Sequence, residues 1–306
     1  MDATEEKTMT IMFSVFLVAS ILFCGSLWAT EPESRSASAG DQRVQLNWLG
    51  NAGWEIRVGK TIILIDPFLS RREASASAAW KTDEDAVLSV ITGADYIFAG
   101  HSHADHIADI PFIAKRFGSK VIGSRTTTNI ALTAGIDRAQ LTTISGGENL
   151  DFKDFSVQVI ESRHGVLNRS GRRRQPRSDE VLKPWFGPIM GNAFVEGGSY
   201  LYCFTFGKKR ILHQSTGNFI EEKLIGLHPD VAILAATGDY NWTEAVKILR
   251  PKTVIIHHHD NWRVPFSAGI SSSNRKRTQR VENAIKAVDR NIKVIVPEYF
   301  KTITLD

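Results

Sequence analysis

Cysteine is almost absent from this chain: Cys24 and Cys203 are the only two in 306 residues. They lie far apart, and the first falls in an apolar N-terminal stretch, so no disulfide framework is implied. The chain has no Walker loop, no glycine-rich dinucleotide fingerprint and no serine-nucleophile elbow. No internal repeat is visible, and no recognisable nucleic-acid module is present, so nucleic acid is not an expected partner. Long uncharged runs are confined to residues 10–29, followed by a Ser/Ala/Glu-rich spacer to Gly40. That run is expected to be an export signal or a single membrane anchor outside the fold. Ala29 suits a cleavage position, whereas Leu27 and the acidic start (Asp2, Glu5, Glu6) do not, and Phe23 before Cys24 argues against lipoprotein processing. The protein is therefore expected outside the cytoplasm, periplasmic or secreted, with membrane association through residues 10–29 if they are retained. Residues 41–306 are expected to form one folded domain.

The remainder is ordinary globular material, 42% hydrophobic and 23% charged, enough for one large α/β domain. The formal charge of +4 is concentrated. Arg169, Arg172, Arg173, Arg174 and Arg177 form one block; Arg275, Lys276, Arg277 and Arg280 form another.

The chain is organised around His101-Ser-His103-Ala-Asp105-His106, which follows the apolar run Asp95–Gly100. Such a run reads as a buried strand, which places the polar residues just past its C-terminal end, where open α/β sheets carry chemistry. If the chain stays extended through residue 103, the imidazoles at 101 and 103 point to one side. Asp105 and His106 fall where a helix begins and can approach a second point. Three imidazoles and a carboxylate within six residues suit one or two Zn²⁺-like ions.

The signature His-x-His-x-Asp-His, with Trp48-Leu-Gly-Asn-Ala-Gly53 and Ile62-Ile-Leu-Ile-Asp66-Pro67-Phe68 upstream, resembles the metallo-β-lactamase superfamily. The two upstream stretches resemble the opening strands of the branch containing ascorbate-6-phosphate lactonase and N-acyl-phosphatidylethanolamine phospholipase D, and the resemblance covers about residues 43 to 305. It implies an αββα four-layer sandwich. It also implies that His164, at the end of the strand Phe155–Ile160, completes a first site with His101 and His103. A second site would then use Asp105, His106 and the middle histidine, His258, of His257-His258-His259. His257 and His259 are expected at the rim or behind the ligands, and Asp66 as the partner that orients a ligand imidazole. Asp105 would also orient the nucleophile or pass a proton.

The chain departs from the family after the strand ending at His213. Relatives usually carry an aspartate bridging two metals there, where this chain reads Gln214-Ser215-Thr216-Gly217-Asn218. Ser215 and Asn218 stand closest to that place, and Asp239, after the strand Val231–Ala236, is a candidate substitute. The aperiodic, arginine-rich stretch Leu167–Asn192 is expected to hang over the site as a lid, with Arg173 a candidate substrate contact.

The function this implies is a hydrolase in which a zinc-activated water cleaves an anionic ester, phosphodiester or lactone. One or two Zn²⁺ ions are expected, with Mn²⁺ or Fe²⁺ also compatible, and a small anionic or lipid-like substrate. The alternative is a metal-binding or sensor protein of the same fold that has lost catalysis, motivated by the missing aspartate.

Overall fold

Glycine-bearing turns cut the first apolar stretch into three antiparallel strands, β1 (Val44–Gly50), β2 (Gly53–Val58) and β3 (Thr61–Ile65), as the sequence predicts. In the computed structural model, which describes residues 43–165, 180–237 and 241–305, the chain then alternates helices with parallel strands. Helix α1 (Glu84–Leu88) precedes β4 (Tyr96–Phe98), and α2 (Ala104–Ile107) and α3 (Ile110–Phe117) lead to β5 (Lys120–Gly123). Helix α4 (Arg125–Thr133) leads to β6 (Leu141–Thr143). β14 (Thr302–Leu305), at the far end of the chain, pairs with β1 and closes a seven-stranded sheet in the order β14-β1-β2-β3-β4-β5-β6.

The second sheet has seven strands as well. It runs from β7 (Asn149–Asp151) and β8 (Ser156–Ser162) through the hairpin β9 (Ser199–Phe206) and β10 (Lys209–Gln214). β11 (Val231–Ala235), β12 (Thr253–His257) and β13 (Lys293–Ile295) extend it in parallel. Helices α5 (Glu221–Leu224), α6 (Trp242–Leu249) and α7 (Ser272–Val288) cover its outer face.

Strand periodicity explains the four layers. Ile63 and Ile65 of β3 face Ile233 and Ile255 of the other sheet in a shared inner core that includes Trp48, Phe98, Tyr202 and Phe204. Leu64 turns outward with Ile97 and Val121 against α3 and α4, among Ile110, Ile113, Ala114 and Ile130. Val254 and Ile256 do the same against α6 and α7, among Val246, Leu249, Val281 and Ile285. Side chains that alternate apolar on both faces require cover on both faces.

Although residues 269–274 are rich in glycine and serine, α7 begins at Ser272, where the Ser271 hydroxyl accepts a hydrogen bond from Asn274 N and caps the helix. Of the stretch expected to form a lid, residues 180–192 do not line the site cavity, and residues 167–179, which carry the arginines, lie outside the described residues. Its described part is docked elsewhere: Val181 and Trp185 N donate to Thr126 and Thr133 of α4, and Met190 bridges to Ala79. Arg173 lies outside the described residues.

Candidate metal centre

Every candidate ligand leaves the sheets at the same end. His101 follows β4, His164 follows β8 and His258 follows β12. His103 itself has extended backbone (φ −68, ψ 154) as the residue before α2, although the chain bends at Gly100 and His101 on the way to it. His101 Nε2 and His103 Nδ1 come to 3.1 Å, and the His164 ring lies 4.8 and 4.7 Å from theirs. A second group forms beside the first from Asp105, His106 and His258. Within each group the ligand atoms lie within 4.8 Å of one another.

The protons of these imidazoles are fixed from behind. His106 Nδ1 donates to Asp66 Oδ2 at 3.0 Å, and His164 Nδ1 donates to Gly165 O at 2.7 Å, so in both rings Nε2 is left bare. The Ser215 hydroxyl donates to Asp66 Oδ2 through a short hydrogen bond, and its oxygen can then accept from His101 Nδ1 at 3.3 Å. Asp66 Oδ1 takes Gly100 N at 2.7 Å. One buried carboxylate therefore sets the tautomer of two rings, directly for His106 and through Ser215 for His101. Asp66 does this from a left-handed backbone (φ 45); Asn51 (φ 51) and His258 (φ 53) share that conformation. Three such residues beside one cavity cost roughly 1–3 kcal/mol each, strain that typically collects at functional sites.

Gly100 has to be glycine for reasons of space. A Cβ there would overlap the Ser215 side chain. Gly100→Ala is expected to destabilise the protein by about 1–3 kcal/mol, measurable by urea unfolding; an unchanged midpoint would show that the Ser215 contact yields freely.

The electrostatics favour neutral imidazoles at every one of these histidines except His106. Burial, reinforced by the surrounding histidines, holds His101 well below the ordinary imidazole range, and His103 and His258 are pushed down to about 4 for the same leading reason. His164 is lowered as well. His106 alone is raised: burial opposes its charge, but Asp105 and Asp66 outweigh it. Burial pushes the Asp105 carboxyl up, while His106, His258 and His103 and the Asn51 hydrogen bond bring it below the usual range.

The donor chemistry fits a divalent ion. His101 Nε2 and His103 Nδ1 face each other at 3.1 Å, Asp105 adds oxygen to the second group, and His258 Nδ1 is buried with no hydrogen-bond partner. Nitrogen-rich sets with one carboxylate are what zinc and its first-row neighbours select.

Of the remaining candidates, Ser215 sits beneath the ligands. Asn218 touches only the backbone of one: its Nδ2 donates to His164 O at 3.4 Å, its Oδ1 accepts from Phe219 N and its carbonyl from Ser162 and Gln214, so it ties down the loop behind His164. His257 points between the sheets, where Trp54 Nε1 donates to its Nδ1 at 3.0 Å and its Nε2 donates to Gln214 O at 2.8 Å. His259 stacks on Trp48 at 4.5 Å and lines a different cavity, with Arg275, Glu282 and Tyr299. The expectation of a rim role for these two is corrected by strand parity: β12 sends Ile255 and His257 inward, and the left-handed turn at His258 diverts only that residue into the site. Asp239 lies outside the described residues.

Asn51 was not singled out by the sequence, yet its Nδ2 donates to Asp105 O at 2.6 Å and to Asp105 Oδ2 at 3.1 Å. Its carbonyl accepts His258 N at 2.9 Å, so it joins both halves of the second group. The cavity over the site, about 240 Å³, is walled by Thr216, Thr237, Trp262 and Arg263. Arg263 lies over the Trp262 ring at 4.1 Å and pairs with Glu73 at 3.3 Å.

Buried neutral histidines make the metal-free fold acid-labile. His213, between the sheets with Nε2 on Ala52 O, is pushed by burial to about 4. Its unfolded form binds a proton near pH 6.5, so stability is full above that pH and is lost as pH falls toward 4, at about 1.4 kcal/mol per unit for each such group. Thermal melts of chelator-treated protein are expected to be flat above pH 7 and to fall steeply from 6.5 to 4.5; a flat profile to pH 4.5 would contradict it.

These features define a two-sheet α/β fold with paired nitrogen-rich ligand sets at the strand ends. A family model described as a beta-lactamase superfamily domain matches residues 45–258, and the chain belongs to that family. A UPF0173 metal-dependent hydrolase from Myxococcus xanthus is 26% identical over 279 residues, 88% of this chain and 86% of the relative. Another from Methanopyrus kandleri is 25% identical over 225 residues, 71% and 84% of the two chains. Among solved structures, the metallo hydrolase Igni18 from Ignicoccus hospitalis aligns with a TM-score of 0.58 at 22% identity, covering 86% of this chain and 99% of its own. CmlA, a diiron β-hydroxylase from Streptomyces venezuelae, also reaches 0.58 at 14% identity, covering 86% of this chain and 54% of CmlA.

Proposed function

We propose that this chain is a metal-dependent hydrolase that binds two zinc ions and cleaves a small anionic ester, phosphodiester or lactone. The observation that carries the reading is the pair of three-residue ligand sets opening together onto one small cavity. The names of the curated relatives point the same way. His101, His103 and His164 would hold one ion, and Asp105, His106 and His258 the other. Bound there, divalent zinc supplies Lewis acidity, polarising a carbonyl or phosphoryl oxygen and acidifying water.

The chain's own residues do the rest. Asp66 and Ser215 keep His101 and His106 in the tautomers that present bare nitrogens. Asp105, held by Asn51, is the one carboxylate of the two ligand sets and is suited to orient the attacking water and carry its proton. Arg263, braced by Trp262 at the rim, favours an anion in the cavity. The neutral hydroxyl of Ser215, in place of a bridging carboxylate, favours the second reading, a metal-binding protein without turnover.

Metal content of the purified chain and of His258→Ala separates these. Two zinc equivalents falling to one in the variant, with turnover of a generic phosphodiester or lactone by the parent, supports the reading. One equivalent unchanged by the mutation would overturn the second site. Absence of turnover at every metal loading would favour the binding protein.

A further inference from the structure

The lysines gather at the end of the sandwich opposite the ligand cluster. Lys208, Lys209, Lys252 and Lys293, from the starts of β10, β12 and β13 and the turn before β10, surround one shallow cavity with Thr304 and Leu305 of the other sheet. Leu305 pairs with Val44, the first residue of β1, and Val44 also pairs with Val58 at the turn that carries Lys60. Arg43 precedes β1 at this same place. Aspartates share this end: Asp230 is ion-paired with Lys252 Nζ at 2.9 Å, and Asp95 and Asp154, bonded by Ile62 N and the Thr61 hydroxyl, keep their charge. Asp151 is exposed. The cations named here outnumber these aspartates, and this end, the base of the fold, is where the chain leads back toward the uncharged run 10–29.

We propose that this lysine-bearing base is a docking surface for an anionic lipid bilayer, so that the domain stands on the membrane with the ligand cluster at its far end. A spacer from residue 30 to 42 can extend to about 45 Å, too long to impose an orientation by connection alone. The charge imposes it: each lysine near an anionic surface strengthens association several-fold, and the effect fades within a Debye length. β1 rises from the base to Gly50 beside the cluster over seven residues, about 23 Å. A site held at that height and facing away meets solutes of the aqueous phase, not lipid in the bilayer beneath it. The orientation does not depend on the reaction proposed above.

The test is amine labelling of the full-length chain reconstituted in nanodiscs of neutral phosphatidylcholine, or of the same lipid with 30% phosphatidylglycerol, read residue by residue by mass spectrometry. Labelling of Lys208, Lys209, Lys252 and Lys293 is expected to slow at least threefold in the anionic discs and to recover in 0.5 M salt, while Lys276 on α7 is unchanged. Equal labelling in both lipids would overturn the proposal, because the tether alone would then account for membrane proximity. Protection of Lys276 in place of the base would overturn it as well, since the opposite end of the fold would be docked.

Discussion

Arg71→Ala is expected to lower the unfolding free energy by about 3–5 kcal/mol and to cost the protein the metal-binding capacity of its second ligand group. The Arg71 guanidinium and the Asp260 carboxylate are both buried, 2.6 Å apart. Arg71 Nη2 donates to Asn261 O at 2.8 Å and Nε to Val264 O at 3.0 Å, and the group rests 4.4 Å above the Phe266 ring. Asp260 is served in addition by Asn51 N and by the Tyr299 hydroxyl. The whole segment that carries His258, Trp262 and Arg263 is thus pinned to the turn between β1 and β2. Truncating the arginine leaves a carboxylate buried with no counter-charge, and that residual charge, more than the lost attraction, sets the size of the effect.

Asp260→Asn should be severe for the mirror-image reason. The double variant Arg71→Met, Asp260→Asn should fall well short of the summed single losses, because neither charge is left alone. Urea unfolding of chelator-treated protein measures all three without involving metal, and metal content then reports the site. A loss below about 1 kcal/mol for Arg71→Ala would mean that the pair does not hold the loop. Asp109 bears on the same segment from the other side: its carboxylate, pushed up by burial, accepts Leu69 N, Ser70 N and the Ser70 hydroxyl just before Arg71.

Local signals were enough for most strands and for the first cluster of candidate ligands. Period-two alternation bounded by glycine is plain in β1 to β3 and in the β9–β10 hairpin; His101, His103, Asp105 and His106 stand out by their spacing, whereas His164 and His258 are picked out only by the resemblance to the family. The parts that stayed hidden share a physical cause: they act through partners far away in sequence. Asn51 reads as a turn residue and becomes functional only when folding brings Asp105 and His258 to it. Arg71 looks like one more exposed arginine in a polar loop; its partner is 189 residues away. Ser215 was rightly set apart as no bridging anion, but its task, carrying the influence of Asp66 to His101, depends on Gly100 allowing a close approach that no local pattern encodes. The arginines of residues 167–192 lie outside the described residues, and Trp262 and Arg263, among the described ones, wall the cavity. Membership of the family fixes the scaffold, and the likeness to a hydroxylase as well as to a metallo hydrolase shows why chemistry has to be argued from the site.

Asp105→Asn is the substitution expected to cost most in turnover, with kcat down by 10²–10⁴. It changes one oxygen to nitrogen at nearly constant volume, so packing in α2 is preserved and the loss reports charge and proton transfer. Burial acts to neutralise the Asp105 carboxyl, but His106, His258, His103 and the Asn51 amide together hold it below the usual carboxylate range. It is therefore ionised throughout neutral pH and available to accept a proton. Asn51→Ala removes the bonds to Asp105 O and Oδ2 while leaving the charge in place, and a bond of that kind is worth about 0.5–1.5 kcal/mol, so its kcat should fall roughly 2–10-fold. The order of the two effects is the informative result. If Asn51→Ala proved as damaging as Asp105→Asn, the carboxylate would matter mainly through its placement. If Asp105→Asn kept activity within about threefold of the parent while retaining both metal equivalents, Asp105 would carry no proton, and the base would have to be sought elsewhere on the cavity wall.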